Sequence, residues 1–183
     1  MDLAHAEARR IVVFPGSARQ LLFKGPMIYN VSADVIDFAI ADFRGQGQKE
    51  IAAVLDSPPD ARLTYALIPK TGTLLTESAG SELSMRPSQV IAADINADRR
   101  AELLLLCKDR HALTFVSGSS PNQSGQRHYA LGKQPQWLGI GNLLGDARSP
   151  LDVLVVDSYG RLDPTNGSVW ILEGISAVSA TNQ

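Results

Sequence analysis

Short apolar runs separated by polar loops recur along the chain, and three stretches share one pattern. Each has an apolar run, a polar loop that opens with Asp or Asn, an acidic residue and a second apolar run. The loops open at Asp42, Asp94 and Asn142, so they recur at intervals of 52 and 48 residues. The three stretches are FAIADFRGQGQKEIAAVLD from Phe38, QVIAADINADRRAELLLLCKD from Gln89 and WLGIGNLLGDARSPLDVLVVD from Trp137.

The apolar runs predict β-strands, four to a repeat. The second runs, IAAVL, LLLLC and DVLVV, are apolar on both faces, which is typical of a strand enclosed between two neighbouring sheets. A third strand is predicted in LTYALIPK, ALTFVSGS and SVWILEG, and a fourth in GTLLTE and RHYAL. Four short strands at this period are typical of one blade of a β-propeller.

A helix is the alternative for one of these runs. The segment ADRRAELLLLCKD consists of good helix formers. The matching segment DVLVVDS and the third-strand segment SVWILEG are instead rich in β-branched and aromatic residues, which favour strands. Because one structure must serve all three copies, the pattern favours strands, and a helix over Ala101–Lys108 would contradict the prediction.

The two ends of the sequence predict incomplete blades. The opening RIVVFPGSARQLLFKG is similar to the third and fourth strands of a blade, and the closing SVWILEGISAVSATNQ stops after a third strand. The predicted fold is therefore all-β, a partial, roughly half β-propeller of about three four-stranded blades plus half-blades at the ends. Its predicted divisions are an N-terminal tail (1–10), a half blade of two strands (11–30), blade 1 (31–85), blade 2 (86–134), a partial blade 3 (135–176) and a C-terminal tail (177–183).

Thirteen predicted strands are too few to close a ring easily. Such a chain exposes two sheet edges and two blade faces, which proteins normally cover. We therefore expect a protein partner or a second copy of the chain to complete the structure.

The loops resemble the FG-GAP/VCBS-type repeat of integrin-α-like β-propellers, whose core is approximately GDFNGDGxxDLVV. The segments ADFRGQGQKEIAAVL and ADINADRRAELLLL match its frame, and GNLLGDARSPLDVLVV matches with two extra residues. The resemblance implies a propeller located outside the cytoplasm, with calcium bound in some loops. It also implies adhesion, ligand binding or assembly rather than catalysis.

The resemblance places the calcium ligands at loop positions one, three, five and nine. Calcium needs several converging oxygen ligands, and the second loop supplies a complete set. In the first loop an arginine replaces one ligand, so no site is expected there, and the third loop has disturbed spacing. The second loop also has Arg99 where the family has glycine, a bulky residue expected to resist a positive φ. The positions are Asp94, Asn96, Asp98 and Glu102 in loop 2, Asp42, Arg44, Gln46 and Glu50 in loop 1, and Asn142, Leu144, Asp146 and Asp152 in loop 3.

One other interpretation of the loop acids remains open. Their side chains could instead stabilise turns by hydrogen-bonding their own backbone. An EF-hand is excluded, because position twelve counted from Asp94 is Leu105 and position six is Arg99. Three functions thus compete: a structural or docking subunit, a calcium-dependent adhesion or glycan-binding module, and a fragment of a propeller enzyme.

Composition and cysteine content argue against several classes of protein. Seventeen basic and nineteen acidic residues give a net charge of −2, which argues against a nucleic-acid-binding protein. The apolar runs are too short to cross a membrane, and the start MDLAHAEARR lacks the features of a secretion signal. The single cysteine, Cys107, excludes an internal disulfide and follows a leucine run, so a buried, inert thiol is expected.

Chemistry outside the repeat loops is sparse in the sequence. The histidines His5, His111 and His128 show no metal-binding spacing, and GIGNLLG is not a nucleotide-binding loop. Trp137 and Trp170 occupy apolar repeat positions, which predicts core packing rather than sugar stacking. No paired nucleophile and base is evident, so catalysis is not expected.

Overall fold

The computed structural model describes residues 3–14, 25–67, 74–75, 80–117, 125–131, 134–142, 151–157 and 168–172. In these residues the chain forms fifteen strands in four sheets, with one short 3-10 turn at Lys108–Arg110 and no α-helix. The all-β prediction is therefore confirmed. Strand is also confirmed over helix for the leucine run, since Glu102–Cys107 forms a strand.

The four sheets follow one another along the chain, apart from one short strand. Every neighbouring pair of strands is antiparallel except β3 (Met27–Asn30) and β7 (Leu74–Leu75), which are parallel. Sheet 1 has the order β1-β2-β3-β7 (Leu3–Glu7, Arg10–Phe14, Met27–Asn30, Leu74–Leu75). Sheet 2 has the order β4-β5-β6-β8 (Val35–Ala41, Glu50–Ser57, Asp60–Leu67, Ser81–Leu83). Sheet 3 has the order β9-β10-β11-β12 (Gln89–Ala93, Glu102–Cys107, Ala112–Val116, Gln126–Ala130), and sheet 4 the order β13-β14-β15 (Pro135–Gly141, Asp152–Asp157, Ser168–Leu172).

The sheets stack face to face, which explains why the second strands are apolar on both faces. In β10, Leu103 and Leu105 lie in a buried cluster shared with sheet 2, whereas Leu104 and Leu106 lie in a cluster shared with sheet 4. Strand β5 alternates in the same way between clusters shared with sheets 1 and 3. Successive side chains of a strand point to opposite faces, so β5 and β10 each contribute to two cores. The sheets therefore stack in chain order.

The first strands of successive sheets also lie against one another, β4 against β9 and β9 against β13. Side chains at one repeat position connect them. The Asp37 carboxylate accepts a hydrogen bond from the Val90 amide at 2.7 Å. The Gln89 side chain accepts a hydrogen bond from the Leu138 amide at 2.9 Å and donates one to the Leu138 carbonyl at 3.0 Å. Asp37 and Gln89 each stand five residues before a loop opening. The same position of the repeat therefore connects sheet 2 to sheet 3 and sheet 3 to sheet 4.

Sheet 1 corrects the prediction for the N-terminal region. A tail was predicted at residues 1–10, but Leu3–Glu7 forms β1 and pairs with β2. The Val31 amide bonds the Arg9 carbonyl at 3.0 Å, as the Leu131 amide bonds the His111 carbonyl at 2.7 Å in sheet 3. Strands β1, β2 and β3 therefore match β10, β11 and β12, the second to fourth strands of a repeat. The predicted half blade at 11–30 thus belongs to a unit of three strands that begins earlier.

The fourth strand of the first full repeat also differs from the prediction. Within GTLLTE, Leu74–Leu75 forms β7, which pairs with β3 of sheet 1. The fourth strand of sheet 2 is instead Ser81–Leu83, paired with β6. Short apolar segments of this kind can serve either sheet, and tertiary pairing decides between them. The predicted C-terminal tail, 177–183, lies outside the described residues, as does most of QLLFKG.

Candidate functional site

The first two polar loops have the same backbone conformation, and an aspartate organises each. The Asp42 carboxylate accepts hydrogen bonds from the amides of Gln46 and Gly47. The Asp94 carboxylate accepts them from the matching amides of Asp98, at 3.1 Å, and Arg99, at 2.8 Å. Both aspartates thus act as turn-forming residues that bond their own loop backbone.

A buried glutamate closes each loop at the start of the second strand. Glu50 is 1% exposed and Glu102 is 2% exposed. The Ile95 amide donates to Glu102 Oε2 at 3.0 Å, so the acid ties the beginning of its loop to the end. A buried carboxylate needs such partners, because its charged form is otherwise strongly disfavoured.

Loop 1 supplies its own cation at the position where the resemblance requires a calcium ligand. Arg44 Nε lies 3.1 Å from Glu50 Oε1, so the two side chains form an ion pair. Their geometry is not that of a hydrogen bond. Burial raises the pKa of Glu50, and the positive charge of Arg44 opposes that rise. The positive charge of a guanidinium therefore lies beside the buried acid of loop 1.

Loop 2 brings together all four residues predicted as calcium ligands. The Asn96 side-chain amide donates to Glu102 Oε1 at 3.1 Å and to Asp98 Oδ2 at 3.2 Å. The pKa of Glu102 is raised to about 7, first by burial and also by the negative charges of Asp98 and Asp94, whereas the hydrogen bond from the Ile95 amide lowers it. Negative charge is therefore concentrated in this loop around an acid that holds its proton up to neutral pH.

As folded, loop 2 satisfies its carboxylates with nitrogen donors. Asn96 presents its amide nitrogen to Glu102, and backbone amides occupy both oxygens of Asp94. Among the described residues no group of three or more His, Cys, Asp or Glu side chains is placed to hold a metal ion. A calcium ion, which binds through oxygens alone, would therefore require the Asn96 side chain to turn its amide oxygen toward the site in place of the nitrogen.

The third loop is described only at its two ends. Leu144 and Asp146, two of its predicted positions, lie outside the described residues. Asn142 follows β13, and Asp152, which begins β14, is buried. Its burial matches that of Glu50 and Glu102, so the acid at the start of the second strand is a shared feature of all three repeats.

One expectation about loop 2 is wrong. Arg99 was expected to resist a positive φ, yet it adopts φ 71°, the same value as Gly47 at the matching position of loop 1. Hydrogen bonds from the Arg99 amide to Asp94 and from the Arg100 amide to Asp98 favour this backbone conformation despite the side chain. For a residue with a Cβ atom this conformation costs about 1–2 kcal/mol, so Arg99 is a point of local strain.

This strain predicts opposite effects for two substitutions at one repeat position. We expect Arg99→Gly to raise the free energy of unfolding by about 0.5–1 kcal/mol, because glycine adopts positive φ freely but loses more entropy on folding. Gly47→Ala is the matched control: nothing lies within 4 Å of its added Cβ, so backbone strain alone should lower stability by about 1 kcal/mol. Urea unfolding measures both, and a destabilised Arg99→Gly variant would contradict the assignment of strain.

The structure also forms a hydroxyl–imidazole group that the sequence did not predict. Ser84 Oγ lies 2.9 Å from His128 Nε2, and Thr114 Oγ1 lies 2.9 Å from His128 Nδ1. Gln126 Oε1 accepts from the amide and hydroxyl of Ser84. Ser84 and His128 are far apart in sequence and fit no motif, so only the packing of sheet 3 against sheet 2 brings them together.

This group joins sheets and lacks the features of a catalytic triad. Its third member is a threonine rather than a carboxylate, and both Ser84 and His128 are exposed. Gln126 also donates to the Glu82 carbonyl at 2.9 Å. The contacts therefore fasten the outer strand of sheet 3 to the chain that follows β8.

Cys107 is buried, as predicted, and burial raises the pKa of its thiol.

The prediction for Trp137 is wrong: the side chain is 49% exposed on the outer face of sheet 4. A Cβ added at Gly139 would lie 2.3 Å from its ring, so the indole lies across the glycine. The apolar position was correctly identified, but no described sheet covers it.

Within the described part of the chain there is no helix long and apolar enough to cross a lipid bilayer. Comparison with known proteins found no matching family model and no similar protein among those with curated descriptions.

Proposed function

We propose that this chain is a non-enzymatic propeller-repeat protein, roughly half of a β-propeller, that acts as a structural or docking subunit. A protein partner would complete its exposed sheet faces. The family resemblance of the loops further implies a location outside the cytoplasm. The observation that supports it most is that no described strand covers the outer face of sheet 4, where Trp137 is 49% exposed.

The stacking of the sheets supports the propeller part of the proposal. Blades of a propeller lie face to face around an axis, with their first strands nearest to it. Strands β4, β9 and β13 lie against one another in series, and Asp37 and Gln89 bond the next first strand in the same manner. Four sheets arranged in this way would form a little over half of a typical ring.

The outer face of sheet 4 supports the docking part. Leu154 and Leu104 occupy the same repeat position, two residues after the buried acid. Leu104 is fully buried between sheets 3 and 4, whereas Leu154 and Val156 are only partly buried and belong to none of the described core clusters. A face with the composition of an internal interface but without a neighbour is typical of an interaction site.

The proposal is tested by the accessibility of Trp137 in the isolated chain. We expect acrylamide to quench a strongly exposed component of the tryptophan emission in dilute solution. Trp137→Phe should remove that component and leave the emission of Trp170, the second tryptophan. Should Trp137 prove shielded in the dilute chain, its face would be closed to partners and the proposed docking role would fail.

A calcium-dependent adhesion or glycan-binding module is the alternative, favoured by the negative charge gathered in loop 2. Because the loop already satisfies its own carboxylates, we expect the same melting temperature in calcium and in EDTA. A rise in melting temperature with calcium that Asp98→Asn abolishes would favour the alternative instead.

A further inference from the structure

The two end faces of the stack differ in chemistry. On the outer face of sheet 1, Arg10 pairs with Glu7 at 2.6 Å, and their side chains are 50% and 61% exposed. His5 is also exposed, and the register places it opposite Val12 on this face. Charged groups on a terminal face are typical of the capping units of repeat proteins.

The outer face of sheet 4 has no such cap among its described residues. Trp137 lies flat over Gly139, and the register sets Gly139 opposite Leu154 and Trp137 opposite Val156. The charged residue of that face, Asp152, is 1% exposed at the start of β14. Among the side chains that the structure describes, the accessible part of the face is therefore aromatic and aliphatic.

This face also continues a series of interfaces inside the molecule. Asp37 bonds sheet 2 to sheet 3, and Gln89 bonds sheet 3 to sheet 4. Trp137 holds the same repeat position in sheet 4, five residues before the loop opening. At this position the indole of Trp137 replaces the polar side chains of Asp37 and Gln89, which bond backbone groups of the next sheet. A contact of sheet 4 with a further sheet would therefore depend on apolar burial.

We propose that the outer face of sheet 4 is a self-association surface on which a second copy of this chain docks face to face, with Trp137, Leu154 and Val156 of both copies in contact. The proposal rests on the proposed function, because it identifies the partner of the same docking face. Because Asp152 is buried, two copies can meet on this face across a twofold axis without bringing exposed like charges together. Docking on sheet 1 of another copy would instead desolvate Glu7, Arg10 and His5 against apolar side chains, which is unfavourable.

The size of the face sets the expected strength of the dimer. Stable interfaces bury about 800 Å² on each partner, and three short strands offer less. Association should therefore depend on concentration, with monomer in dilute solution and dimer in concentrated solution.

Light scattering coupled to size exclusion, over a range of concentrations, tests the proposal. We expect the mass to rise from 19.7 kDa toward twice that value. Leu154→Glu should weaken dimerisation by about tenfold or more, because it buries an unpaired carboxylate from each copy. Val12→Glu, on the opposite end face, is the matched control and should leave dimerisation unchanged.

Three outcomes would overturn the proposal: a wild-type monomer at every concentration, a dimer lost with Val12→Glu, or a dimer that survives Leu154→Glu. If circular dichroism shows that Leu154→Glu does not fold, Trp137→Gln at the half-exposed position replaces it, with the same expected loss. If the wild type is a monomer and acrylamide still quenches Trp137 readily, self-association is refuted, but the proposal that this face docks a partner is not. A shielded Trp137 in dilute solution would refute both.

Discussion

Leu104→Ala is expected to lower the free energy of unfolding by about 2–5 kcal/mol, the range for leucine truncation in a closed core. Leu104 is fully buried in the cluster between sheets 3 and 4. Leu105→Ala should cost a similar amount, because Leu105 is fully buried in the other cluster, against sheet 2. Equal sensitivity of two adjacent residues is the signature of a strand enclosed on both faces. Denaturant unfolding followed by circular dichroism measures each change.

Leu154→Ala is the matched control, since Leu154 holds the repeat position of Leu104 in sheet 4. We expect a loss below about 1 kcal/mol in dilute monomer, because the side chain is already partly exposed and leaves little cavity. Equal losses at Leu104 and Leu154 would mean that sheet 4 is covered within the chain. A small loss at Leu105 would contradict the stacking of sheet 3 on sheet 2.

Glu102 is expected to make the protein less stable as the pH rises from about 4.5 to about 7. Burial raises the pKa of Glu102 from 4.5 to about 7, so over this window the folded state binds a proton that the unfolded state has released. Unfolding free energy therefore falls with increasing pH across the window and levels off above it. At about 1.4 kcal/mol per pKa unit, the fall is about 3 kcal/mol.

Glu102→Gln isolates this effect, because glutamine is neutral at every pH and can still accept from the Ile95 amide. The difference in unfolding free energy between the wild type and the variant should change by about 3 kcal/mol between pH 4 and pH 8. Carboxylates that do not interact with Glu102 contribute equally to both proteins and cancel. A pH-independent difference would show that Glu102 is ionised in the folded state, as a bound cation would also make it.

The sequence predicted the repeated strands well, because each carries its own signal. β5, β10 and β14 have apolar residues on both faces, which only a strand enclosed by neighbours requires. The polar loops were located for a similar reason: an aspartate that bonds the amides four and five residues later is a local device, readable from spacing. Asp42 and Asp94 both do so.

Other features depend on contacts between distant segments and left no local signal. β7 is two residues long and joins sheet 1 through a parallel pairing across more than forty residues. The Ser84–His128 contact spans 44 residues. Arg99 was expected to resist a positive φ, but the hydrogen bonds of the loop favour this conformation over the side-chain preference.

Local periodicity therefore determined the all-β character, the repeat and the positions of the loops, since strand formation and turn formation depend on near neighbours. Tertiary structure alone decided which strands share a sheet, that Arg44 neutralises Glu50, and that Trp137 is exposed while Leu104 is buried. The physical reason is that burial depends on what covers a residue. Leu104 and Leu154 look alike in the sequence, and only the stacking order gives one of them a neighbouring sheet.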